Sequence, residues 1–501
     1  MNIENNDLNN GFAKQKSPWF ITLILIASIG LCSCGNQSAE AEAGPKNVSQ
    51  LTVSEDKESG SQAVVDSDSD APSNAGTDSD AVVDSGSGAE SDDVAGFGSG
   101  AGSDDIAGFG SGAESDDVAG FGSGTGSDDV AGFGSGAESD TMTDYPPEDN
   151  LRPEVTIRMV GDVLLHTPVE NSVKQEDGSY DYDVLFSQTK GIISDADLAL
   201  VNQEVIIGGA ELGISGYPCF NADFSLCDTL SEVGFDVVCH ATNHALDKGK
   251  KGLVSCAENW ENRFPEMAVL GIHDTPETSM SQGAQPYIYE CGELRIAILN
   301  YTYGTNGIAL PEDMPYAVDL LVKEQVIADI KLAEELADFT IVCPHWGTEY
   351  RLSPDASQSK WVKIFAENGV DLVLGTHPHV IEPIEWVTDE ETGHEMLVYY
   401  SLGNYVNWTS GTGQGVANRM VGGMADVTIT LDEEGNAVIG DYGVLALVSH
   451  VQSGPEGVTT YFLSDYTKEL ESQNEIVFQD SNFSLDYCKD LCDSVWGDLW
   501  K

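Results

Sequence analysis

Residues 339–379, FTIVCPHWGTEYRLSPDASQSKWVKIFAENGVDLVLGTHPH, decide the fold. Residues 339–342 and 372–374 are short apolar runs of buried-strand length, and residues 356–368 between them have the pattern of an amphipathic helix, stopped by Gly369. Strand, helix and strand in that order make the unit of a parallel sheet, because parallel neighbours need a crossover connection. Working outward, the same kind of apolar run recurs at residues 155–160, 198–201, 235–239, 295–299 and 397–400. Val322, Val326, Ile330, Ala333 and Ala337 fall at helical spacing before the quoted stretch. The alternation predicts an α/β domain with its strands inside. From Met424 the pattern turns strand-rich, with residues 427–431 and 437–447 flanking the turn Glu434-Gly435-Asn436, and residues 483–500 are predicted to form a helix. The expected boundaries are a domain over 151–465 and a helical extension over 466–501.

Five of the predicted strands run directly into residues able to bind a metal. Val160 leads to Asp162, Val201 to Asn202-Gln203-Glu204, Cys239 to Asn243 and His244, Val342 to His345, and Leu374 to His377 and His379. Ligand sites in α/β sheets gather beyond the carboxyl ends of the strands, so these segments are expected to converge on one cleft. Asp162, Glu204, Asn243, His345, His377 and His379 form a mixed oxygen and nitrogen donor set, suited to Mn, Fe or Zn. Singly, each has a plainer explanation as a helix cap, a turn former or a hydrogen-bonded core residue. Recurrence at five equivalent positions favours the metal.

The 501 residues carry 84 acidic and 22 basic side chains, a net charge of −62, which argues against a nucleic-acid partner. Residues 1–34 are neutral overall; Lys14 and Lys16 precede the apolar run 19–31, with the length of a signal-peptide core. The run ends in Leu31-Cys32-Ser33-Cys34, which resembles the bacterial lipobox, so Cys34 is the expected lipidation site and the cytoplasmic membrane the expected partner. Everything beyond it is expected to be extracytoplasmic and lipid-anchored. Residues 35–150 hold 26 acids and two lysines, a net of −24, and from Ser87 repeat a twelve-residue unit of the type SGAESDDVAGFG. Each unit offers one Val or Ile and one Phe, too little to bury, so a disordered acidic linker is expected. Residues 151–501 hold 56 acids and 18 bases, a net of −38.

The segments VGDVLLH (160–166), ALVNQE (199–204), ATNHALDKG (241–249), HWGTEY (345–350), GTHPHVIEPIEW (375–386) and YSLGNY (400–405) together resemble the CapA family of poly-γ-glutamate capsule synthesis proteins. That family's domain is a variant of the calcineurin-like metallophosphoesterase fold. The resemblance implies a sandwich of two sheets flanked by helices, with two divalent ions between the loops. Asp162 and His379 would hold one ion, Asn243, His345 and His377 the other, and Glu204 would bridge them. His244 takes the position of a hydrogen-bonding or proton-donating histidine, oriented by Asp247 or Glu349. Ser401 and Asn404 would line the cleft with Gly403, or equally form a turn. Two departures stand out: Leu164 sits where an Asp-x-His motif needs histidine, making His166 the substitute, and Asn202-Gln203-Glu204 replaces Gly-Asp. The implied role is synthesis, export or anchoring of a capsule or other surface polymer by metal-dependent hydrolysis, alongside a polymer synthase complex. The alternatives are a non-catalytic polymer-binding or assembly subunit and a general phosphoesterase.

A polyanionic substrate meets a net charge of −38, whose repulsion extends over about a Debye length, roughly 8 Å at physiological salt. Bound cations and the cluster Lys248, Lys250 and Lys251 are the candidates to reverse that sign locally, although three lysines at this spacing also suit an exposed helix start. Among the cysteines, Cys219 with Cys227 and Cys488 with Cys492 are the nearest pairs for disulfides, whereas Cys239 and Cys343 are expected as buried thiols.

Overall fold

The computed structural model describes residues 154–501. The expected signal segment, Cys34 and the twelve-residue repeats lie outside the described residues.

Strands β1 (Glu154–Val163), β2 (Leu198–Asn202), β3 (Val237–Cys239) and β4 (Ala268–Leu270) begin one sheet. The chain then builds a second from β5 (Tyr287–Cys291), β6 (Leu294–Thr302), β7 (Phe339–His345), β8 (Leu372–Leu374), β9 (Ile384–Thr388) and β10 (Glu395–Tyr399). It returns to the first with β11 (Asn404–Val406), β12 (Val421–Leu431), β13 (Ala437–Val451) and β14 (Val458–Phe462). The first sheet has the order β14-β13-β12-β1-β2-β3-β4, with β11 paired to β1; the second is β5-β6-β7-β8-β10-β9. Each holds a parallel run, from β1 to β4 in the first and from β6 through β7 and β8 to β10 in the second. The expected α/β architecture of two sheets flanked by helices is what the chain adopts.

The parallel strands are covered on both faces. Every residue of β2, β3, β7 and β8 is buried, which is why they read as unbroken apolar runs without alternation. The helix Ala356–Glu367 starts with a capping box: the Asp355 carboxylate accepts from the amides of Ser357 and Gln358, and the Gln358 side chain accepts from the Asp355 amide. Trp361, Val362 and Phe365 of that helix share a core with Val342 and Val373 of the sheet and with Val326, Ile330 and Ala333 of the helix Lys323–Leu336. Val322, assigned to that apolar face by spacing, instead precedes the helix in extended conformation and is 49% exposed.

Strand β1 continues beyond the apolar run that announces it, and this matters for the site. A side chain on Gly161 would lie 1.9 Å from the Gly403 carbonyl oxygen, so only glycine lets β11 approach. The ladder shifts register on both sides of Asp162, which pairs with Asn202 on one flank and Asn404 on the other. Such irregularities re-aim a side chain at the end of a strand.

Residues 466–501 pack into the same core as the strands. In the helix Leu485–Trp496, the Trp496 indole donates to the Glu382 carbonyl at 3.0 Å and its ring fills the space beside Gly423. No helix among the described residues is long and apolar enough to cross a membrane. All eight described cysteines are free, so the expected Cys219–Cys227 and Cys488–Cys492 bridges do not form. Cys227 is buried while Cys219 is exposed, and Cys488 and Cys492 project along one helix face instead of toward each other.

Candidate metal centre

The carboxyl ends of β1, β2, β7 and β8, with the loop after β3, meet at one buried cluster. Asp162, Glu204 and His379 form one donor group and Glu204, His345 and His377 a second, each with its ligand atoms within 4.8 Å of one another. Glu204 belongs to both. Asn243 Oδ1 lies 3.0 Å from His345 Nε2, beside the second group. His377 and His379 both adopt positive φ, 99° and 59°, a conformation costly for residues other than glycine and concentrated at functional sites. In that bend the His377 amide donates to Asp162 Oδ1 at 3.2 Å, tying the loop to the first strand.

Polar neighbours fix the donors. The Asn202 amide donates to Asp162 Oδ1 at 2.9 Å, and the Thr376 hydroxyl lies 3.1 Å from His345 Nδ1. Asn404 places Oδ1 3.1 Å from His379 Nδ1 and donates through Nδ2 to the carbonyls of His379 and Arg419. Such partners orient metal ligands.

Both Glu204 oxygens and His377 Nδ1 are buried without a hydrogen-bond partner among the described residues. Burial, chiefly, holds the Glu204 carboxyl well above its usual range and the His345 and His377 imidazoles well below theirs. Neutral imidazole is the form that ligates. His379 goes the other way: burial opposes its protonation, but Glu204 and Asp162 outweigh it and push the ring up to about 9. A divalent cation satisfies the orphaned carboxylate and imidazole together and replaces the His379 proton, so these residues fit a metal.

His244 stands over the cluster with Nε2 3.9 Å from Glu204 Oε1. Its Nδ1 lies 2.6 Å from Asp247 Oδ2, which also accepts from the Phe220 amide, and the Phe220 ring meets it edge-on at 4.7 Å. Asp247, then, orients His244, while Glu349 is exposed at the rim. His166 lies outside both donor groups; its partly buried ring packs edge-on to Phe220, and burial, followed by His379, His244 and Arg419, pushes it down to about 4. It is therefore a neutral neighbour of the cluster, not a replacement ligand. Ser401 does not face the cleft: its hydroxyl donates to the Val380 carbonyl and accepts from the Gly403 amide, closing the turn. Lys248 donates to Ser215 Oγ at 2.8 Å and Lys250 pairs with Asp313, both at the start of the helix Gly249–Arg263. The lysines thus behave as a helix start.

Sequence reasoning missed the rim. The Tyr303 ring lies 4.6 Å from that of His377, and the Tyr350 ring 6.0 Å from that of His379. Arg419 lies over Tyr350, 3.7 Å from the ring centre. Tyr350 sits inside the motif HWGTEY and was findable there; Arg419 lies beyond every motif and carries no local signal.

The description "bacterial capsule synthesis protein" belongs to the family model that matches residues 156–409, a stretch that includes every donor above. The chain is 29% identical over 185 residues to the PGA biosynthesis protein CapA of Bacillus subtilis, and 25% identical over 274 residues to the capsule biosynthesis protein CapA of Bacillus anthracis. These alignments cover 36% and 51% of this chain, and 45% and 61% of the two relatives. Among solved structures, a 5'-nucleotidase precursor from Thermus thermophilus superposes with a TM-score of 0.39 at 16% identity, over 61% of this chain and 56% of that one. With its matched segment running from β1 through the last of the site's loops, the chain belongs to the bacterial capsule synthesis protein family.

Proposed function

We propose that this domain is a metal-dependent hydrolase of capsule synthesis, acting on an anionic surface polymer such as poly-γ-glutamate and held at the membrane by a lipid on Cys34. The observation that carries the catalytic reading is the pair of buried donor groups sharing an orphaned Glu204. The names of the two relatives support the capsule role. Asp162, Glu204 and His379 would hold one divalent cation and Glu204, His345 and His377 the other, with Asn243 beside it; Mn, Fe and Zn suit these donors. Such ions supply Lewis acidity and an acidified water. Asp247 holds His244 by Nδ1 so that Nε2 faces the cluster, placed to pass a proton to a departing oxygen. Asn202, Thr376 and Asn404 keep the donors in place as substrate enters.

One observation favours the second reading, a polymer-binding assembly subunit: Leu164 stands where a histidine ligand belongs, and His166 does not replace it. Metal content by mass spectrometry, with turnover assayed on phosphodiesters and γ-glutamyl oligomers, separates the two. Wild-type protein is expected to bind metal and turn over, and His377→Ala to lose metal and at least about 100-fold in rate, in line with the loss of a ligand rather than of a supporting contact. Metal without turnover selects the assembly subunit, and a His377→Ala protein with full metal content refutes the site.

A further inference from the structure

The rim contains a cation with no protein anion to answer it. Arg158, Arg263 and Arg295 each have a carboxylate partner, whereas Arg419, like the exposed Arg351, has none within 4 Å among the described residues, in a domain with 56 acidic side chains. Its Nε is buried without a hydrogen-bond partner, and Nη1 reaches only Thr409 Oγ1, at 3.4 Å. The side chain is nonetheless fixed. Its guanidinium lies 3.7 Å from the centre of the Tyr350 ring, which neighbours His379, and its backbone carbonyl accepts from the Asn404 amide that also holds His379. Stacking leaves the edge of a guanidinium free, and that edge is a fork of N–H donors matched to a carboxylate or a phosphate. Lys248 and Lys250, which follow His244 in sequence, are already engaged elsewhere.

We propose that Arg419, stacked on Tyr350, is the substrate-binding residue for an anionic group, a carboxylate or phosphate next to the group held at the metal centre. This rests on the metal reading of the site. It answers the charge problem locally: one oriented guanidinium at the mouth receives a polyanion that the rest of the surface repels.

The test is calorimetric titration of the full chain, wild type, Arg419→Gln and Arg419→Lys, with inorganic phosphate and with tri-γ-glutamate, each with Mn loaded and after chelation, and with metal content measured in parallel. Arg419→Gln is expected to weaken binding of at least one anion by tenfold or more with metal content unchanged, and Arg419→Lys to recover only part of it. Loss confined to phosphate identifies a phosphoester, and loss confined to tri-γ-glutamate a carboxylate. Equal affinity of wild type and Arg419→Gln for both anions overturns the proposal, as does binding of neither anion by wild type or loss of metal in Arg419→Gln. If wild type takes up no metal, the hydrolase reading fails, and the chelated titrations still decide the arginine.

Discussion

Glu170 and Glu204 are both buried carboxyl groups, and the difference between them separates a structural acid from a candidate metal ligand. Glu170 Oε2 accepts from the Tyr182 hydroxyl at 2.9 Å, and burial pushes the group up to about 8. No imidazole cluster faces it, so the folded protein simply keeps it protonated, while an unfolded chain ionises it near 4.5. The sign follows: the contribution to stability is fully present below about 4.5 and is lost as pH rises through about 8. Glu170→Gln is therefore expected to melt close to wild type at pH 5 and a few degrees above it at pH 9, and melting curves that stay parallel across that range would refute the assignment. At this scale the sequence was informative wherever a donor follows an apolar run, as with Asp162, Glu204 and His345. Arg419 was not legible because its meaning lies in a Tyr350 ring contributed by a distant loop, and no spacing rule links the two.

Among elements, the buried parallel strands were legible and the short or edge ones were not. β7 and β8 have the unbroken apolar runs of doubly covered strands. β11 starts on the polar Asn404 and shows no apolar run, β4 is only partly buried at the edge of its sheet, and β9 buries one residue of five at the open edge of its own. β11 illustrates the cost of missing one: it carries Asn404 against Asp162, and its approach depends on Gly161, a constraint visible only once the two backbones are side by side. The helix Leu485–Trp496 was legible as a helix, but its docking was not, since the partner positions are Gly423 and the Glu382 carbonyl. Trp496→Ala removes a nearly fully buried ring and its hydrogen bond, and is expected to cost about 3–5 kcal/mol in denaturant unfolding. A cost below about 1 kcal/mol would mean that this helix is peripheral to the fold.

For the whole molecule, the charge of −62 bears on anchoring as well as on substrate. Residues 35–150, at −24, and residues 151–501, at −38, are both net negative, so their net charge opposes association with an anionic leaflet. The proposed attachment therefore rests on apolar insertion, for which the diacylglyceryl group proposed on Cys34 provides two chains, each buried CH₂ contributing about 0.8 kcal/mol. Two chains suffice for stable anchoring where one is marginal. Wild-type protein is accordingly expected to begin at Cys34 by mass spectrometry, to incorporate an alkyne fatty acid, and to stay with membranes through a high-salt wash until detergent is added. Cys34→Ser is expected to carry no label. Wild-type protein released by salt, or free of label, would refute lipid anchoring. Labelling that persists in Cys34→Ser would move the lipid to Cys32, the only other cysteine in the leader.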